Sequence, residues 1–261
     1  MEKGIILEDN FLNEIIFRID FTTILEICGD NKESAKNFQK VIINEFPHVE
    51  VLQQKKLNVN IDIESGYPQN VSQEGNLCWI FRNDDGRKEI SLTSNNLVLN
   101  YHKGAYKRFK YFLDDVMLII SALQQYMPFK LNFLGLRYVN EIDDTEINEN
   151  IDIYINKTIS NTVIVNDFNQ ENLIQLFSKL QMQKENYIFT LQYGFYNPTE
   201  DYQHEKHFIL DYDCVNTKIT DLSDVKDNLI EMNKLIFEKF EYSITDEFID
   251  KMGEKYGSSD N

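Results

Sequence analysis

Two long stripes of apolar residues at helical spacing, each preceded by short alternating segments, restrict this chain to few architectures. The first stripe is Phe109, Phe112, Val116, Ile119, Ile120 and Leu123, in a helix expected over 105–127 and stopped by Pro128. The second is Leu222, Val225, Leu229, Met232, Ile236 and Phe240, in a helix expected over 222–241. A one-sided helix must lay its stripe on something apolar, and an alternating strand offers one apolar face.

The segments ahead of the first stripe read as strands. LNEIIFRIDF (12–21) opens the series, and LNVNIDI (57–63) alternates strictly. LCWIFRN (77–83) and KEISLTS (88–94) flank Asp84, Asp85 and Gly86, a hairpin turn, and NLVLNYH (96–102) follows. Between 12–21 and 57–63 a helix is expected over 32–46. Asp30 and Glu33 form its capping box, Ala35, Phe38, Ile42 and Phe46 form its stripe, and Pro47 ends it.

A strand holding GLRYVNEI (135–142) leads toward the second stripe. A strand-like piece at 151–155, a helix over 170–182 and strands over 186–196 and 206–215 come next. Thr245 caps a short last helix ending near Gly253. The order strand, helix, strands, long helix thus occurs twice. It implies an α+β fold, an antiparallel sheet with long helices on one face, built from two similar halves in a saddle-like arrangement by analogy. The halves, about 10–128 and 129–252, make one domain over 1–252, and 253–261 is expected to be a disordered tail.

Composition supports a globular reading. The protein has 261 residues, 42% hydrophobic and 13% aromatic, with 10 glycines and 4 prolines, so it has core material and few linker residues. Its formal net charge of −17 opposes non-specific attraction to nucleic-acid phosphates. That acidity serves solubility, docks a basic protein partner, or mimics a nucleic acid. Cys28, Cys78 and Cys214 are far apart with no CxxC spacing, so neither a zinc site nor a redox motif is expected. The start MEKGIILEDNFLNEIIF lacks a basic lead into a long apolar run, and no apolar run is long enough to span a membrane. A cytoplasmic protein without membrane contact is the expectation.

An arginine sits inside the strand at the middle of the sequence. Strand alternation puts Phe133, Gly135, Arg137, Val139 and Glu141 on one face, and Leu134, Leu136, Tyr138, Asn140 and Ile142 on the other. If helices cover the first face, the guanidinium is partly buried and needs a carboxylate. FILDYDCV (208–215) supplies Asp211 and Asp213 on one strand face, and Arg137 is expected to pair with one of them. Such a pair either fixes strand register or serves a site, as an anion-binding arginine or a carboxylate pair holding a metal. Two carboxylates alone fall short of a metal site, so no metal or cofactor is expected.

Other motifs carry less. His204 and His207 in DYQHEKHF lack HExxH spacing and read as part of a solvated loop. No GxGxxG, Walker A or GxSxG motif occurs. Lys103, Lys107, Arg108 and Lys110, interleaved with Tyr101, Tyr106 and Phe109, read as a solvated helix end. Trp79, in an apolar strand, is assigned to the core.

Three segments together resemble a sporadically distributed family of uncharacterised bacterial proteins. Gly135, Leu136, Arg137, Tyr138 and Asn140 match its central strand, of pattern G-[LV]-R-Y-x-N. Leu210, Asp211 and Asp213 match its LD-x-D strand, and Phe240, Ile244 and Thr245 its closing F-x-x-x-[IL]-T. The similarity runs from the first strand to about residue 252 and is weakest over 143–205. No catalytic role is implied. Patchy distribution accompanies mobile elements, toxin–immunity pairs and phage defence. It implies a non-enzymatic interaction component of a defence or toxin-neutralising system, whose partner is another protein, encoded by a neighbouring gene. Arg137, Tyr138, Asn140, Asp211 and Asp213 are the structural or binding candidates. The alternatives are a metal-dependent hydrolase or nuclease using Asp211 and Asp213, and a nucleic-acid mimic.

Overall fold

The structure, a computed structural model, describes residues 5–7, 11–27, 35–61, 68–164, 174–198 and 206–256. Its strands are β1 (Ile5–Leu7), β2 (Leu12–Phe21), β3 (His48–Ile61), β4 (Pro68–Arg82), β5 (Lys88–Leu92), β6 (Asn96–His102), β7 (Leu131–Ile142), β8 (Gln175–Lys184), β9 (Tyr187–Tyr196), β10 (His207–Asn216) and β11 (Glu254–Tyr256). Its helices are α1 (Lys36–Ile42), α2 (Phe109–Leu123), α3 (Thr145–Glu149), α4 (Ile151–Tyr154), α5 (Lys157–Val163), α6 (Val225–Ser243) and α7 (Asp246–Lys251). Among the described residues nine strands form a sheet in the order β3-β4-β5-β6-β2-β7-β10-β9-β8. The pairings of β3 with β4, β4 with β5, β5 with β6, β8 with β9 and β9 with β10 are antiparallel. The fold is α+β.

The protein divides into two compact units. The first comprises 1–15, 136–216 and 228–261, and the second 16–135 and 217–227, so β2, β7 and α6 each pass through both.

In the second unit α1 and α2 cover the face of the β3–β6 meander that carries Phe81, Ile90, Leu99 and Tyr101. Cross-strand pairing puts Phe81 beside Ile90 and Ile90 beside Leu99, all fully buried. Phe38 of α1 meets Phe81 at 5.4 Å, and Phe112 of α2 meets Tyr101 edge-on at 5.1 Å. The stripe Phe112, Val116, Ile119, Ile120 and Leu123 is buried as the periodicity requires, while Trp79 is core. Lys103, Lys107, Arg108 and Lys110 are exposed. Lys88 Nζ reaches Asp115 Oδ2 at 2.8 Å and the Tyr101 hydroxyl donates to the same oxygen, which ties β5 and β6 to α2. Gly86, with φ of +70°, turns the β4–β5 hairpin as expected. The Asp30–Glu33 capping box lies outside the described residues, and α1 begins after Ala35.

In the first unit α6 packs on β7 and β10. Tyr138 donates its hydroxyl to Asn233 Oδ1 at 2.7 Å, and the Tyr212 ring meets Phe240 at 6.2 Å. Thr245 caps α7, its Oγ1 accepting from the Phe248 amide at 3.3 Å. Of the closing segment, Glu254–Tyr256 pair as β11 with β1, and 257–261 lie outside the described residues.

Two sequence expectations fail here. Residues 175–184 are strand β8, not part of a helix over 170–182. Gln, Leu, Lys and Met favour helix. Ten cross-strand pairings with β9, however, override that local preference. Glu185, with φ of +54°, makes the tight turn between them. Residues 151–154 are helix, not strand. A strand would bury Ile151, Ile153 and Ile155 together. A helical turn buries Ile151 and Ile155 and leaves Ile153 half exposed, as observed. Ile155 then bridges Ile244.

Candidate functional site

The candidate residues lie on β7 and β10 of the first unit, where alternation decides which side chains meet α6. Leu136, Tyr138 and Ile142 of β7, with Phe208, Leu210, Tyr212 and Cys214 of β10, are buried on the helix side. Arg137, Val139 and Glu141, with His207, Ile209, Asp211 and Asp213, occupy the opposite face. The condition left open by the sequence is thereby decided. The helices cover the Tyr138 face, and Arg137 is on the open face with 45% of its side chain accessible.

The expected pairing is present on that open face. Arg137 Nε donates to Asp211 Oδ1 at 2.8 Å and Nη2 to Oδ2 at 2.6 Å, a two-pronged contact across 74 residues of sequence. Only 10% of the Asp211 side chain is accessible, so the guanidinium replaces most of its lost hydration. The bonds to Asp211, opposed by burial, hold the arginine still more firmly protonated than usual. Both Asp211 oxygens are engaged by the guanidinium. Asn140 Nδ2 donates to the Leu210 carbonyl at 3.3 Å, adding a side-chain tie between the same two strands.

Asp213 differs. It joins no ion pair among the described residues. Burial pushes its pKa above the ordinary aspartate value, Asp211 pushes the same way, and Arg137 and Lys179 pull against them. It is a half-buried carboxylate with attraction available but no ion-pair partner among the described residues.

A second cluster has no counterpart in the sequence reading. Glu141, on Arg137's face, accepts from the Tyr196 hydroxyl at Oε1, where His207 Nδ1 also lies at 2.7 Å. Its Oε2 accepts from Asn13 Nδ2 at 2.8 Å. Four strands, β2, β7, β9 and β10, meet at this carboxylate. Burial first, then the bond to Glu141, raises the Tyr196 pKa, so the phenol stays a donor. His207 is not in a solvated loop. It opens β10 with 18% of its side chain accessible and packs edge-on against Tyr196 at 5.8 Å. Alternation back from Asp211 through Ile209 would have placed it; the charged run around it hid that signal. His204 and Cys28 lie outside the described residues.

The face continues onto β9 and β8. Asp211 stands beside Gln192 and Gln192 beside Lys179; Asp213 stands beside Thr190, which takes a bond from Gln181 Nε2 at 3.1 Å. One row across the sheet therefore reads Lys179, Gln192, Asp211, Arg137. Among the described residues no group of three or more His, Cys, Asp or Glu is arranged to hold a metal ion. Cys214 is buried on the helix side, and that burial pushes its thiol up to about 12. The site offers a satisfied ion pair, a satisfied carboxylate clasp and one half-buried carboxylate that joins no ion pair among the described residues.

No family model matches the protein. It is similar to an uncharacterised lipoprotein of Staphylococcus epidermidis, 22% identical over 198 residues, which cover 74% of this chain and 64% of that protein. The chain thus spans a little under two thirds of that relative's length. Among the described residues no helix is long and apolar enough to cross a membrane.

Proposed function

We propose that this chain is a non-enzymatic protein-interaction component of a bacterial defence or toxin-neutralising system, and that its partner docks on the open sheet face of the first unit. The observation that carries the reading is Asp213. A half-buried carboxylate without an ion pair costs stability, and a cation brought by a partner would offset that cost. The net charge of −17 would speed the approach of a basic partner. Arg137, Tyr138, Asn140 and Asp211 hold the strand that presents Asp213. The repeated order of elements supports the idea that two similar halves built the fold.

The test is co-expression with the products of neighbouring genes, followed by purification and native mass measurement. A defined complex should form with wild type and weaken at least tenfold with Asp213→Asn. A protein that stays alone, or a complex indifferent to Asp213→Asn, refutes the reading. The supposed location is the cytoplasm, where buried Cys78 and Cys214 would stay reduced. The lipoprotein name of the staphylococcal relative favours a second reading, action at a membrane surface. Fractionation of the native host separates the two: soluble protein supports the first, membrane-pelleted protein the second.

A further inference from the structure

Strand β8 ends the described sheet order, so one of its edges offers backbone N–H and C=O groups that no described strand takes up. Its side chains sharpen the point. On one face Leu180 stands beside Leu191 and Met182 beside Phe189 of β9. Leu191 and Phe189 are buried, but Leu180 is 46% and Met182 37% accessible. The apolar layer of the first unit therefore runs out to β8 and stops in water. On the other face Lys179 ends the row that passes through Gln192 and Asp211 to Arg137. Along that row the residues read cation, neutral amide, anion, cation, and the place beyond Lys179 suits an anion. Within Gln175–Lys184 there are two lysines and no acid, in a protein with 43 acidic residues against 26 basic.

We propose that β8 receives an extended, acidic segment of another protein by strand addition. The segment alternates apolar residues, laid against Leu180 and Met182, with carboxylates facing Lys179. Main-chain bonds supply the affinity of such a contact and alternate side chains its selectivity. Lysines on an edge strand deter pairing between identical strands. Here they oppose a second copy's β8, which brings the same two lysines, and they favour an acidic strand. The inference does not require the open-face reading: it concerns the edge of β8, although Lys179 shares that face and acts on Asp213.

The test uses the full-length protein and capped eight-residue peptides by fluorescence anisotropy. The probes are an alternating Glu–Val peptide, its Lys–Val counterpart, and the Glu–Val peptide N-methylated at alternate amides. The Glu–Val peptide should bind at least tenfold more tightly than either of the others. Lys179→Glu/Lys184→Glu should reverse the charge preference, and both substitutions fall at exposed positions. Met182→Glu should weaken binding with the far-UV spectrum unchanged. Equal binding of the two charge types overturns the proposal, as does no binding at millimolar peptide or no effect of N-methylation. A native mass showing dimers that Met182→Glu abolishes gives the edge to a second copy and also overturns it. Asp213→Asn should leave peptide binding intact, which separates a failure here from a failure of the open-face reading.

Discussion

Replacing Arg137 by methionine keeps most of the side chain's length and removes its charge and donors. Asp211 then remains with 10% of its side chain accessible and neither of its two bonds, at 2.8 and 2.6 Å. Stranding a fully buried carboxylate costs roughly 3–5 kcal/mol. Arg137 itself is 45% accessible, so water enters the vacated space and part of that cost disappears. About 1.5–3 kcal/mol of destabilisation is expected for Arg137→Met. Asp211→Asn leaves a neutral amide that still accepts from the guanidinium and should cost about 1–2 kcal/mol. In the double variant no charge is stranded, so its cost should fall short of the sum by about 1–2 kcal/mol. Urea unfolding at pH 7, followed by far-UV circular dichroism, measures all four proteins. Trp79 fluorescence is a poorer probe here because Trp79 belongs to the second unit. A coupling below about 0.3 kcal/mol, the usual scatter of additivity, would refute the claim that the two side chains act together. So would a charge-swapped Arg137→Asp/Asp211→Arg protein no more stable than its single variants.

Three further outcomes follow from the geometry. Gly194→Ala should destabilise by about 3 kcal/mol or more, read as a drop in urea midpoint, because φ is +150° and an added Cβ would lie 1.8 Å from the Leu176 carbonyl oxygen. Lys88→Met should cost about 2 kcal/mol, since Asp115, 13% accessible, would keep only the Tyr101 hydroxyl; an unchanged midpoint would remove the assigned role of that pair. Asp213→Asn should raise the melting temperature at pH 7. The folded protein holds the Asp213 proton more tightly than the unfolded chain, so wild-type stability from this group is present below the ordinary aspartate pKa and lost as pH rises through the raised folded value. The advantage of the asparagine should therefore fade as pH falls through that window, and a melting-temperature difference that grows on acidification would contradict it.

Much of this architecture is legible in the sequence because local signals agree with tertiary ones. Strand β2 occupies 12–21 as read, the Asp84–Gly86 turn closes its hairpin, and α2 and α6 bury most of the stripes that announce them, Phe109 and Phe240 being half-buried. The partner of Arg137 can be named because an arginine in an apolar strand needs an acid, and few acids are embedded as Asp211 and Asp213 are. The side that the helices take is not legible. Alternation defines two faces but does not say which one a helix will choose, so the surroundings of Arg137 stay open until the structure decides them. Strand β8 is hidden because its residues favour helix and only its pairing with β9 reverses that preference. The clasp on Glu141 draws Asn13, Tyr196 and His207 from three other strands, and no local spacing betrays such a meeting.

The open face also separates residues that fix register from one that does not. Arg137 meets Asp211, and four residues on, Glu141 meets His207, four residues back. Along β7 the cation comes first and the acid second; along β10 the pairing groups come in the complementary order. A one-residue slip would turn one member of each pair to the helix side and leave the other behind. A two-residue slip one way would put Arg137 opposite Ile209, and the other way would put Glu141 there. Only the observed register satisfies both rungs, so their contribution is to specificity more than to net stability, as expected of charges removed from water. Asp213 has no part in either rung. It gains no ion pair within the described fold, and the neighbouring Asp211 carboxylate helps burial push the Asp213 pKa up. Asp213→Asn is therefore the variant in which the structural and binding accounts diverge. A purely structural residue would show a stability change and nothing else, whereas a docking residue would gain stability and lose its partner together.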